Sequence, residues 1–141
     1  MSEIRIIDSA EDINACYPVM AQLRPHINEK DFPDRVRKQI SDGYRLACLY
    51  DNGAIQSVAG FRIIENLAMG RHLYVDDLVT DENSRSKGYG AAMFDWLVDY
   101  SKTHSCGQLH LDSGVHRFGA HRFYLGKRMD ITGYHFALAL E

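Results

Sequence analysis

The passage from residue 71 to residue 111 restricts the fold more than any other part of the chain. Residues 71–80 are predicted to form a strand, a basic loop with glycines follows, and the spacing then becomes that of an amphipathic helix over 88–104. A second short strand is predicted at 108–111. A strand, a helix and a strand in this order form a crossover, and crossovers join parallel strands. The sheet should therefore contain a parallel pair.

The other predicted elements are mostly antiparallel strands and helices. Asp51-Asn52-Gly53 joins two strands as a hairpin, because Asn and Gly tolerate positive φ. The remaining elements are strands at 3–7, 44–50, 54–64 and 131–140 and helices at 9–24, 34–41 and 117–125. The order β-α-α-β-β-β-α-β-α-β predicts an α/β (α+β) fold: one domain over 1–141 with a mixed, mostly antiparallel, twisted sheet flanked by helices.

Length and composition narrow the class of protein. A chain of 141 residues, 45% hydrophobic and 25% charged, has the size and composition of one globular domain. The formal charge of −3 argues against nucleic acid as the main partner. Because the N-terminus resembles no signal peptide and no apolar run could span a bilayer, we expect a cytoplasmic protein that does not bind membranes.

The loop Arg85-Ser86-Lys87-Gly88-Tyr89-Gly90 has the features of an anion-binding site. It precedes a helix whose first amides point outward, and it adds two cations at that end. Glycines allow a ligand to approach the backbone closely. A pyrophosphate suits this combination, although a flexible loop with solvated cations fits the spacing equally well. The loop matches neither the dinucleotide fingerprint nor the P-loop.

Two motifs together resemble a known family. Arg85-x-x-Gly88-x-Gly90, after a strand ending in 75–80, resembles motif A of the GCN5-related N-acetyltransferases. Residues 120–124, Ala-His-Arg-Phe-Tyr, followed by Met-Asp-Ile at 129–131, resemble motif B of the same family. The resemblance covers about half the chain, from Leu73 to the C-terminus, and implies the acyl-CoA N-acyltransferase fold.

The resemblance also implies where acetyl-CoA binds as the co-substrate. It would lie between the 71–80 strand and its parallel neighbour, 108–111, with backbone groups of the first strand pairing with the pantetheine arm and loop amides holding the pyrophosphate. The residues implied in this binding are Leu78, Val79, Thr80, Arg85, Ser86, Lys87, Gly88, Tyr89, Gly90, Ala91, Ser113 and His121. No metal is expected, since no zinc-ligand spacing is present.

Three residues are candidates for proton transfer. Asp76 and Asp77 interrupt an apolar strand, where carboxylates are costly unless paired or functional. Strand alternation places them on opposite faces, so one faces the substrate; the family position favours Asp76, and ion pairing is the alternative for both. Tyr124 occupies the position of the family's tyrosine that protonates the departing CoA thiolate. Its alternative is a core tyrosine with a satisfied hydroxyl.

These observations predict an enzyme, an acetyl-CoA-dependent N-acetyltransferase in which a primary amine attacks the thioester directly. A small-molecule acceptor is favoured. The alternatives are a non-catalytic acyl-CoA-binding regulatory module and an enzyme that acetylates a protein lysine or N-terminus. A homodimer is possible, because the predicted strand at 131–140 could supply an edge.

Overall fold

The computed structural model describes residues 2–140. Its sheet has five strands in the order β1-β2-β3-β4-β5. The strands are β1 Glu3–Ile7, β2 Arg45–Asp51, β3 Ala54–Asn66, β4 Gly70–Thr80 and β5 Gln108–Leu111. The helices are α1 Ala10–Leu23, α2 Phe32–Ser41, α3 Tyr89–Thr103 and α4 Phe118–Gly126, with a 3₁₀ turn at Glu82–Ser84.

The helix starts follow from local chemistry. Ser9 caps α1, because its hydroxyl accepts a hydrogen bond from the Asp12 amide at 3.1 Å. Pro33 lies in the first turn of α2, where its missing N–H costs nothing. The N-cap of α3 is Gly88, whose φ of 87° is left-handed and whose lack of a side chain leaves the helix end uncapped.

The first four strands form an antiparallel meander. Leu46 lies opposite Gly60, and Gly60 in turn lies opposite Asp77. The crossover through α3 then adds β5 beside β4, which makes the sheet mixed. The predicted α/β class, with a mixed, mostly antiparallel sheet flanked by helices, is confirmed.

A continuous apolar core joins α1 and α2 to the sheet. Ile13 and Cys16 of α1 and Leu46, Cys48 and Val58 of the sheet are fully buried in it. Phe61 is buried too, but its ring contacts the aromatic side chains of α3, Trp96 and Tyr100. The sheet region is therefore held by burial of its apolar side chains.

The prediction for residues 131–140 was wrong. No regular secondary structure is present there, and every side chain in the segment is exposed. The residues alternate as in a strand, but a strand needs a neighbour to hydrogen-bond its backbone, and none of the described residues provides one. Contacts divide the chain into two compact units, one up to His110 and one from Leu111 onward. The assignment of 1–141 to one N-acetyltransferase domain stays a prediction.

The helices of the described region are all too short or too polar to cross a bilayer.

Candidate active site

A β-bulge in β4 determines where the two aspartates point. Gly60 of β3 pairs with Asp77, whereas Phe61 pairs with Val75, so Asp76 is an extra residue without a partner position. A bulge interrupts the alternation of side chains. Asp76 and Asp77 consequently line the same pocket. The prediction that they lie on opposite faces was therefore wrong, because it assumed a regular strand.

Asp77 uses both carboxylate oxygens in contacts within the protein. Arg24 Nε donates to Oδ1 at 2.8 Å, and the Tyr44 hydroxyl donates to Oδ2 at 2.7 Å. Tyr44 is buried, and its burial and the adjacent Asp77 raise the pKa of its phenol, so the hydroxyl stays protonated as a donor. Asp77 thus connects β4 to the end of α1 and the start of β2.

Asp76 uses only one of its carboxylate oxygens. Arg62 donates to Oδ2 from Nε at 2.9 Å, and its Nη2 lies 2.7 Å from the same oxygen. Within residues 2–140, no hydrogen bond to Oδ1 is present. Burial raises the pKa of the Asp76 carboxyl, and Arg62 opposes that rise. Asp76 therefore has a free oxygen and a proton affinity higher than that of an ordinary aspartate.

The two aspartates line a cavity of about 260 Å³, here called the Asp76 pocket. Its volume lies just below the range of about 300–1,000 Å³ typical of sites for drug-sized ligands. Its other walls come from the end of α1, the following loop, α2 and the start of β2. The lining residues are Met20, Arg24, His26, Ile27, Phe32, Arg35, Val36, Gln39, Tyr44, Asp76 and Asp77.

Gly60 makes the close approach of Tyr44 possible. A Cβ at position 60 would overlap the Tyr44 hydroxyl and lie 2.7 Å from Asp77 Oδ2. A glycine inside a strand often marks such an approach. Arg62 offered a second signal, since a cation within the apolar strand β3 needs a buried partner. Gly60, Arg62 and Tyr44 are site residues that the sequence reasoning missed.

The loop before α3 has unpaired backbone donors. The amides of residues 85–91 make no backbone hydrogen bond within the described chain, and the first helical bond runs from the Ala92 amide to the Gly88 carbonyl. Ser86, like Gly88, has a positive φ, 67°. Arg85 and Lys87 are exposed at the same end. These amides and cations, together with the positive end of the helix, favour an anion.

Tyr89 fixes the start of α3 against the sheet. Its hydroxyl donates to Asp51 Oδ2 at 2.6 Å, in the turn between β2 and β3. This hydrogen bond lowers the pKa of Asp51 and raises the pKa of Tyr89. Tyr89 therefore positions the loop through its side chain, while its amide is one of the unpaired amides of residues 85–91.

The end of β4 extends beyond its neighbour β5. The Gly107 amide donates to the Arg71 carbonyl at 2.9 Å, which places the start of β5 beside the start of β4. The four residues of β5 extend about 13 Å along the sheet, which is less than the length of the seven residue steps of β4 from Arg71 to Leu78. Residues 78–80 pair with β3. β5 is too short to reach their other edge.

Tyr124, Ser113 and His121 belong to the second compact unit. Burial raises the pKa of the Tyr124 phenol, while the charge of Arg117 and its hydrogen bond oppose the rise. The buried Ser113 hydroxyl has no hydrogen-bond partner among residues 2–140. His121 Nε2 is 2.8 Å from the Gly114 carbonyl. Tyr124 is thus a protonated, partly buried phenol, and Ser113 has an unused polar group.

The predicted residues therefore fall into three groups. Asp76 and Asp77 lie together in the pocket, Leu78, Val79 and Thr80 follow them on β4, and residues 85–91 form the loop. Ser113, His121 and Tyr124 lie in the C-terminal unit. Among residues 2–140, no three His, Cys, Asp or Glu side chains meet in an arrangement that could hold a metal ion.

Known proteins with the same fold include several acetyltransferases. A Bacillus subtilis N-acetyltransferase, YhdJ, is 34% identical over 128 residues, which is 90% of each chain. Ribosomal-protein-alanine N-acetyltransferase from Brucella melitensis superposes with a TM-score of 0.85 over the whole of both chains at 14% identity. AAC(6')-Iy, solved with the bisubstrate analogue CoA-S-monomethyl-acetylneamine, has a TM-score of 0.83 at 10% identity over 100% of this chain and 99% of its own.

The family model described as acetyltransferase (GNAT) family matches residues 8–129, which include the bulged strand, the loop of residues 85–90 and Tyr124. A match over most of the chain, together with the relative at 34% identity, agrees with the geometry of strand, loop and helix described above. The chain is an N-acetyltransferase and belongs to the GNAT family.

Proposed function

We propose that this enzyme transfers an acetyl group from acetyl-CoA to the primary amine of a small molecule by direct attack. One observation carries the proposal. A carboxylate with a free oxygen lines a pocket, and the strand that carries it leads into a loop suited to binding an anion. The free oxygen is Asp76 Oδ1, and the loop amides are those of residues 85–91. A base and an anion-binding site on one strand suit acyl transfer from a phosphorylated donor.

The residues present fit acetyl-CoA, whose thioester supplies the acetyl group. The unpaired amides of residues 85–91 suit its pyrophosphate, with Arg85 and Lys87 adding charge. The edge of Leu78, Val79 and Thr80 that β5 does not reach suits the amide groups of a pantetheine arm. Ser113 and His121 are proposed as further cofactor contacts by their family positions, and the buried Ser113 hydroxyl has no hydrogen-bond partner among residues 2–140.

Asp76 is proposed as the group that accepts the amine proton, directly or through water. Only a neutral amine is nucleophilic, and a carboxylate with a raised pKa is a better base than an ordinary one. Arg62 occupies the other oxygen and so fixes the orientation of the carboxylate. Asp77 is proposed as a positioning residue, because Arg24 and Tyr44 occupy both of its oxygens. The backbone N–H near Val79 is proposed to stabilise the developing oxyanion.

Tyr124 is proposed as the acid that protonates the departing thiolate. Its raised pKa keeps the phenol protonated at neutral pH, which an acid requires. Arg117 opposes that rise and limits the loss of acidity. If Tyr124 is this acid, removing its hydroxyl should lower the rate of the reaction without lowering the stability of the protein. Removing the satisfied hydroxyl of a core tyrosine would instead lower the stability.

The proposal is tested by measuring CoA release from acetyl-CoA with a panel of amines, using the wild type and Tyr124→Phe. We expect turnover with at least one small amine and a fall in kcat of about 100-fold in the variant. Tyr134→Phe is the control, since it removes the hydroxyl of an exposed tyrosine. CoA binding without turnover on any amine would favour the regulatory module, and turnover only on peptides would favour the protein acetyltransferase.

A further inference from the structure

We propose that the acceptor carries an anionic group, a carboxylate or a phosphate, close to the amine that is acetylated. This inference rests on the proposed function and specifies its substrate class. It is drawn from the charges that line the Asp76 pocket, which are present whatever occupies the pocket.

The first step is the balance of charge at the pocket. Arg24 forms an ion pair with Asp77, and Arg62 forms one with Asp76. Each carboxylate is thus matched by a guanidinium. A polyamine entering the pocket would find no unpaired negative charge to bind its second ammonium group.

The second step is the cation that remains. Arg35 of α2 lines the pocket, and the described residues offer its guanidinium no hydrogen bond or ion pair. His26 lines the same pocket from the loop after α1. A guanidinium pairs well with carboxylate or phosphate oxygens through two parallel hydrogen bonds. The geometry therefore provides one position for an amine, at Asp76, and one for an anion, at Arg35.

The third step is size. A pocket of about 260 Å³ admits only a small acceptor, one with a few atoms besides its amine and its anionic group. We therefore expect small amines that carry an anionic group to bind better than amines of the same length without one.

The test compares matched acceptors in the assay of CoA release. The pairs are β-alanine with β-alaninamide and O-phosphoethanolamine with ethanolamine, and putrescine represents the diamines. We expect kcat/KM to be about tenfold higher for at least one anionic member than for its neutral partner, with most of the difference in KM. Using both pairs distinguishes a carboxylate from a phosphate.

The decisive variant is Arg35→Gln, with Arg37→Gln as the control. Arg37 is exposed on the same helix but does not line the pocket. Arg35→Gln should abolish the tenfold preference by lowering kcat/KM for the anionic acceptors, while Arg37→Gln should retain the preference. Turnover without any preference for anionic acceptors would overturn this inference alone. Absence of turnover on every amine would overturn the proposed function and this inference with it.

Discussion

The bulged part of β4 and residues 131–140, here called the C-terminal segment, depart from the same sequence rule in opposite ways. In β4 a strand forms, but Asp76 and Asp77 face one pocket instead of two sides. In residues 131–140 the side chains alternate as a strand requires, yet no strand is present in the chain. Alternation is thus a property of the side chains, whereas a strand is a property of backbone pairing.

The difference shows what pairing contributes. β4 is paired with β3 over ten positions, and one inserted residue in that ladder changes the direction of a carboxylate. The C-terminal segment has comparable apolar character but no backbone partner among residues 2–140, and its side chains are exposed. A bulge should therefore affect chemistry, while substitutions of the exposed side chains should affect stability little.

The largest effect is expected for Asp76→Asn. If the bulge brings this carboxylate to the acceptor amine, kcat should fall about 100-fold, or about 2.7 kcal/mol, because the amide cannot accept the proton. Steady-state kinetics of CoA release measures the change. Glu65→Gln, an exposed carboxylate near the end of β3, is the control and should leave kcat unchanged. A variant as fast as the wild type would remove Asp76 from the mechanism.

The second effect is on stability, through Gly60→Ala. The added methyl group would displace the Tyr44 hydroxyl from Asp77, so the free energy of unfolding should fall by about 2–3 kcal/mol. Urea denaturation measures it. Gly119→Ala in α4 is the matched control: nothing lies within 4 Å of its added Cβ, and helix propensity predicts a gain of up to about 1 kcal/mol. If Gly60→Ala were as stable as the wild type, Tyr44 would not be held over Gly60.

A smaller effect is expected in the pH profile. Asp76 must be deprotonated to accept a proton, and burial raises its pKa. As the pH is lowered, the loss of activity should therefore begin at a higher pH than the value of about 3.9 at which an ordinary aspartate titrates. Since an acceptor amine with a pKa near 10 already gives log kcat/KM a slope of one, the slope should rise to two below the pKa of Asp76.

Stability has the opposite dependence on pH. A carboxyl with a raised pKa in the folded state binds its proton more tightly when folded than when unfolded. This contribution stabilises the protein at low pH and is lost as pH rises through the folded pKa. For the activity profile, a slope of one at every pH in the wild type would contradict a role for Asp76 as the base. A steepening of log kcat/KM that persists in Asp76→Asn would assign it to another group.

The smallest effect is expected for Phe136→Ser, measured by urea denaturation. Because Phe136 is exposed, the free energy of unfolding should change by less than about 0.5 kcal/mol. Phe61→Ala, which removes a fully buried ring, should cost about 3–5 kcal/mol. A large loss for Phe136→Ser under these conditions would mean that the segment packs within its own chain.

The sequence by itself determined the family and the fold class. Residues 85–90 predict an anion-binding loop because that prediction depends on local features: two glycines, a helix start and two nearby cations. The boundaries of the nine predicted elements that form agree with the structure to within a few residues, since apolar spacing and turn residues act over short distances.

Only the tertiary structure decided which carboxylate has a free oxygen and which segment has a partner. Asp76 and Asp77 are adjacent and chemically identical, and they differ because Arg62 reaches one while Arg24 and Tyr44 reach the other. Those contacts join residues 14 to 53 positions apart, and local patterns carry no information about them. The physical reason is that backbone pairing and charge pairing depend on distance in space, whereas hydrophobic periodicity depends only on neighbours along the chain.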